Sequence, residues 1–158
     1  MNAQAGGSTE AAAWAYVNEA RPVQQLMSAA LTQIAGFALL AMTSSRPLSL
    51  AEGALLSAQQ ASMQAVEAVR ALEAPESASH HLHHLRQAAA MLRQGCSSAL
   101  RCLEPQASQG ERDALVRALR ATSHHLRATA TLLPGFELVD LRQACCAAHA
   151  SKPRLCEA

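Results

Sequence analysis

Aromatic side chains are nearly missing from this 158-residue chain, which has two Phe, one Trp and one Tyr. β-Branched residues are few as well, and together these shortages argue against a sheet, whose pleated surfaces are built from such side chains. An excess of charge of either sign is also lacking. The formal net charge is +1, with 13 Lys and Arg against 12 Asp and Glu scattered along the chain. Neither a phosphate-tracking surface nor a patch for an anionic membrane is advertised, so neither nucleic acid nor a membrane is expected as a partner. No nucleophile elbow, Gly-rich phosphate loop or His-Glu-x-x-His motif occurs, which favours a binding or regulatory protein over an enzyme. Met1 to Gly7 show no basic region leading into an apolar one, and a cytoplasmic location is expected. The longest apolar stretch, Ala29 to Met42, contains Thr32 and Gln33. It falls short of the roughly 18 residues of a spanning helix and reads as a buried bundle helix.

What the chain does have in abundance is Ala, Leu, Gln, Glu, Arg and Met, the side chains that lose least on entering a helix. The length fits one domain over 1–158, with 1–8 and 151–158 expected to be flexible. Ser8 or Thr9 is positioned to cap a short helix over Glu10 to Ala20, after which Pro22 kinks it or opens the next. From Val23 onward Met27, Ala30, Ile34, Phe37 and Ala41 form a helical stripe, apolar all round beyond Ile34 and so expected to be covered.

Ser49 with Glu52 and Ser108 with Glu111 are capping-box pairs that open a second and a fourth helix. Between them a third runs to Leu103 along the seam Leu82, Leu85, Ala89, Leu92, Cys96, Ala99 and Leu103. The fourth has the seam Leu115, Leu119, Thr122, Leu126, Thr129 and Leu133. Pro134-Gly135 ends it before a short fifth helix over Phe136 to Ala150. The expected fold is therefore all-α: an antiparallel up-down four-helix bundle with a short N-terminal helix and a short C-terminal fifth helix.

Six of the seven histidines fall in two short segments, Ser79-His80-His81-Leu82-His83-His84-Leu85-Arg86 and Ser123-His124-His125-Leu126-Arg127. The matching His-His-Leu-Arg runs hint at duplication of a helical hairpin. Folding the chain back near Pro105, and again at Pro134-Gly135, brings His84, His124, His125, Cys145, Cys146 and His149 to one layer near one end of the bundle. Five cysteines, an odd number, point to free thiols or metal ligands rather than a disulfide framework.

Imidazole and thiolate together suit zinc, copper or nickel better than magnesium or calcium. Those six residues are the candidate metal ligands, with His80 and His81 in reserve. They are too many for one tetrahedral ion, so some would lie outside the inner set or a second ion would bind. Haem held between paired histidines is a variant of the same reading. The plainer alternative is that the histidines are solvated and the cysteines small hydrophobes, as Cys96 in the seam reads.

The run His124-His125-Leu126-Arg127-Ala128-Thr129-Ala130 resembles the His-x-Leu-Lys-Gly-Ser-Ala stretch of histidine phosphotransfer domains, which are helical bundles. The resemblance implies that His124 carries a phosphoryl group and that Arg127 takes the place of the family's Lys. Ala128 stands where that family has Gly, and Thr129 where it commonly has Ser. A third reading is a metal-free scaffold that forms a homodimer or docks a protein partner through the apolar Ile34 to Met42 region.

Overall fold

The computed structural model describes residues 4–43, 52–104 and 106–136, and their side chains from residue 11 onward. Among these residues the chain is all helical, in four helices: α1 (Gln4–Thr43), α2 (Glu52–Ala71), α3 (Ser79–Arg101) and α4 (Gln109–Leu132). A single 3-10 turn, Glu76–Ala78, leads into α3 from Pro75, whose fixed φ of −62° suits a helix entrance. Consecutive helices pack on one another, and α1 also touches α3 and α4.

The short N-terminal helix expected from Pro22 is not a separate element, because α1 runs unbroken through that residue for 40 residues. Ser8 and Thr9 are accordingly inside the helix rather than at its cap. Proline removes one backbone bond and frees one carbonyl. Here Pro22 and Asn18, the residue one turn back, are both exposed, so water can satisfy that carbonyl. Ala20 and Val23 meanwhile stay anchored in the core.

At about 1.5 Å per residue, α1 is roughly 60 Å long and α2 to α4 only about 30 to 36 Å, so α1 must overhang its partners. Its buried stripe runs from Tyr16 to Ala38. Beyond it Leu39, Leu40 and Met42 are exposed, as is Trp14 at the other end. The expectation that everything past Ile34 is covered thus fails, since from there to Thr43 only Phe37 and Ala38 are buried. By length and composition alone Ala11–Thr43 is also sufficient to cross a membrane, longer than the apolar run suggested, with a mean hydropathy of 1.6 in its most apolar window.

α3 and α4 form the closest pair. Their direction is fixed by three contacts: His84 with His125, Gly95 with Ala118, and Arg101 with Glu111. As α3 numbers rise α4 numbers fall, so the two run antiparallel. Gly95 faces Ala118 across this seam, and a Cβ built there would lie 3.6 Å from the Ala118 Cβ, an ordinary contact. The Ser108–Glu111 capping box is present in full: the Ser108 backbone N–H donates to the Glu111 carboxylate, and the Glu111 N–H to the Ser108 hydroxyl. It satisfies two otherwise orphaned donors and fixes where α4 begins.

The expected seams are largely the core. Leu82, Leu85, Ala89, Leu92, Cys96 and Ala99 on α3 and Leu115, Thr122, Leu126 and Thr129 on α4 are buried, while Leu103, Leu119 and Leu133 are half-buried. The buried hydroxyls of Thr122 and Thr129 donate to the carbonyls of Ala118 and Leu126, so they enter the core without an unmet donor. The fifth helix, the Ser49 cap and the turn at Pro105 fall outside the described residues.

Candidate functional site

Five histidines gather on the outer side of the α3–α4 pair. His80, His83 and His84 come from the first turns of α3, and His124 and His125 from the second half of α4. Leu82, Leu85 and Leu126 hold the two helices in register by burial. Helical spacing then puts His84 directly beyond His80, one turn on. His84 and His125 are half-buried at the seam, and His80, His83 and His124 are exposed.

Three of the rings are linked end to end. The Nδ1 atoms of His84 and His125 are 2.9 Å apart, and the Nε2 atoms of His84 and His80 are 3.2 Å apart. Each gap is hydrogen-bond length, so one nitrogen must carry the proton and the other the lone pair. With all rings neutral only two patterns satisfy both gaps. His125 donates to His84 and His84 to His80, or every proton shifts and the chain runs the other way. His83 and His124 flank the chain, their rings 5.7 Å from His84 and 5.4 Å from His125.

The pKa of His84 is lowered, first by partial desolvation and then by the imidazoles of His125, His80, His83 and His124. That of His125 is lowered too, by desolvation and then by His124 and His83. Like charges crowd one another in such a group, and among the described residues no carboxylate contributes to either shift. His84 and His125 therefore favour the neutral form at pH 7 and keep lone pairs available.

A metal ion that replaces the shared proton sits to one side of the line between the two nitrogens, so both rings tilt for their lone pairs to converge on it. With metal–nitrogen bonds of about 2.0 to 2.1 Å, adjacent ligand nitrogens on one ion lie about 2.9 to 3.3 Å apart, which spans both gaps. Two axial ligands of a haem iron stand on opposite sides and would be about 4 Å apart, so the His84–His125 pair is arranged for neighbouring positions on an ion. Among the described residues no group of three or more His, Cys, Asp or Glu encloses one ion position. His84 explains this, since it turns one nitrogen to each neighbour.

The remaining expected ligands divide. His124 makes its ring contact with His125 and acts on His84 only through charge. Cys145, Cys146 and His149 lie outside the described residues. His81, held in reserve as a ligand, belongs to the core: it is 1 % exposed, and its Nδ1 lies 2.7 Å from the Tyr16 hydroxyl. Burial, then the His84 charge, lowers its pKa to about 4, while burial raises that of Tyr16 to about 12. Among the described residues His81 Nε2 has no hydrogen-bond partner, and the Phe136 ring packs against the imidazole at 4.3 Å. A site facing solvent cannot use it.

Cys96 and Cys102 are buried free thiols whose pKa values burial raises. This suits the reading of Cys96 as a small core residue. Two polar anchors went unread in the sequence. Gln24 donates to both the Thr129 hydroxyl and the Phe136 carbonyl, and Arg21 donates to the Gly135 carbonyl, tying the end of α4 to α1. Comparison of the chain with protein-family models, curated proteins and solved structures gave no match.

Proposed function

We propose that the protein is a small binding or regulatory protein, an antiparallel up-down four-helix bundle that takes a transition ion at the contact between His84 and His125. The observation that carries this reading is the 2.9 Å approach of two imidazole nitrogens from different helices. Both rings have depressed pKa values, so lone pairs rather than protons are offered at neutral pH. All-nitrogen ligation favours zinc, copper or nickel over magnesium or calcium. His80 supports the site by fixing the far nitrogen of His84, much as partners of ligating histidines set tautomer and orientation. Solvent would fill the remaining coordination positions, or Cys145, Cys146 and His149 would, a completion that rests on the sequence alone.

The test is calorimetric titration of untagged protein with zinc, nickel and copper salts at pH 7.5. One ion per chain is expected, bound with micromolar affinity. His84→Ala and His125→Ala should each weaken binding at least ten-fold, and Cys145→Ser/Cys146→Ser measures what the thiols add. Affinity unchanged in both histidine variants rejects the site. The exposure of His124 keeps a second reading in view, phosphotransfer through that ring. Incubating the protein with a phosphorylated response-regulator domain tests it, with a phosphohistidine lost in His124→Gln as the outcome in its favour.

A further inference from the structure

Charges that look scattered along the chain are segregated in the fold. α3 contains Arg86, Arg93 and Arg101 and no carboxylate. α4 contains carboxylates only at Glu111 and Asp113 in its first turns, and then Arg117, Arg120 and Arg127. Those two carboxylates are already engaged: Glu111 by Ser108 and Arg101, Asp113 by Gln109. Arg86, Arg93, Arg117, Arg120 and Arg127 are all exposed, and among the described residues none has an ion-pair partner. On α2, by contrast, the exposed Arg70 is paired with Glu67 at 2.7 Å.

We infer that the exposed face of α4 docks an acidic helical segment of another protein. Arg117, Arg120 and Arg127 fall within about 80° of one another round that helix. Arg120 and Arg127 are seven residues apart, which is two helical turns, so their cations lie about 10.5 Å apart. A partner helix with Glu or Asp at heptad spacing repeats its charge at the same interval. Arginine suits that role because its planar fork can grip a carboxylate through two bonds.

Other anionic partners fit less well. Phosphates follow one another about every 3.4 Å along a duplex strand, a much finer spacing than that of Arg120 and Arg127. Base stacking needs exposed aromatic rings, but Tyr16, Phe37 and Phe136 are buried and the exposed Trp14 is on α1. An anionic bilayer surface is gripped by apolar side chains inserted beside the cations. Of the large exposed apolar residues only Leu132 belongs to these two helices, the others being on α1 and α2.

The inference does not depend on the metal site, and its experiment separates the two. The probe is a fluorescein-labelled 21-residue Ala/Gln peptide carrying Glu at heptad positions. Its binding is followed by anisotropy in 20 mM and 200 mM salt, with EDTA present throughout. Saturable binding that weakens at high salt is expected. Arg117→Gln/Arg120→Gln/Arg127→Gln should reduce it at least ten-fold at low salt, with an unchanged circular-dichroism melt because all three side chains are exposed. Absence of saturable binding, equal affinity in the triple variant, or tighter binding of a labelled 21-base-pair duplex or of phosphatidylserine vesicles would overturn the inference.

Discussion

His84 and His125, 41 positions apart in sequence, face each other Nδ1 to Nδ1 at 2.9 Å across the seam between α3 and α4. An ion bound there links the two helices and stabilises only the folded chain. At a free concentration one hundred times its dissociation constant it should add about 2.7 kcal/mol. Zinc at that excess should therefore raise the melting temperature of the native protein by several degrees. The same addition should stabilise His125→Ala, with its at least ten-fold weaker affinity, by no more than about 1.4 kcal/mol.

The buried His81 makes stability depend on pH. Its folded pKa, about 4, lies below the unfolded value of 6.5. As pH falls through that interval the unfolded chain takes up a proton that the folded chain refuses. The contribution is complete above pH 6.5 and is lost progressively toward pH 4, roughly 3 kcal/mol at about 1.4 kcal/mol for each pH unit. The lowered values at His84 and His125 act in the same direction. Urea midpoints at pH 7 and pH 4.5 check this. His81→Gln, which keeps an acceptor for Tyr16 but does not titrate, should show a distinctly smaller acid loss than the native protein.

Gly95 is in the interior of α3, where a β-carbon would make ordinary contacts, 3.6 Å from Ala118 and 3.9 Å from Leu119. Glycine costs a helix interior about 0.5 to 1 kcal/mol relative to alanine. Gly95→Ala should therefore stabilise the protein by about that amount in urea unfolding. Gly95→Leu should destabilise it by about 1 to 3 kcal/mol by forcing α3 and α4 apart.

Gln24 is 4 % exposed, and its amide nitrogen serves the Thr129 hydroxyl and the Phe136 carbonyl, each at 3.1 Å. Gln24→Leu would leave those acceptors without their donor in the core. A loss of about 1 to 3 kcal/mol is expected by urea unfolding.

The sequence made the helices and most of the core legible because an apolar seam alternating at three and four residues has one physical solution. The Ser108–Glu111 box was equally readable, since both halves of its hydrogen bonding lie within four residues. Pro22 misled. Its effect depends on whether the freed carbonyl meets water, and that depends on the helix rotation. Counting back from the Pro105 turn put His84 only about one helical turn along the axis from His124 and His125, which gives the layer but not the pairing. The division of labour among the rings did not follow from it either. His81 and His84 are three residues apart, yet one is wholly buried against Tyr16 and the other opens onto His125. About 60° of helix rotation separates those fates, finer than an apolar pattern resolves. The charge segregation was written in the sequence but hidden by the balanced total.

Nitrogen-15 NMR of the histidine rings, recorded before and after one equivalent of zinc at pH 7.5, tests the metal site most directly. The account predicts that the Nδ1 signals of His84 and His125 move to metal-bound shifts together, while the buried His81 stays where it was. Zinc that leaves both Nδ1 signals unmoved, or that shifts only His124, would contradict it.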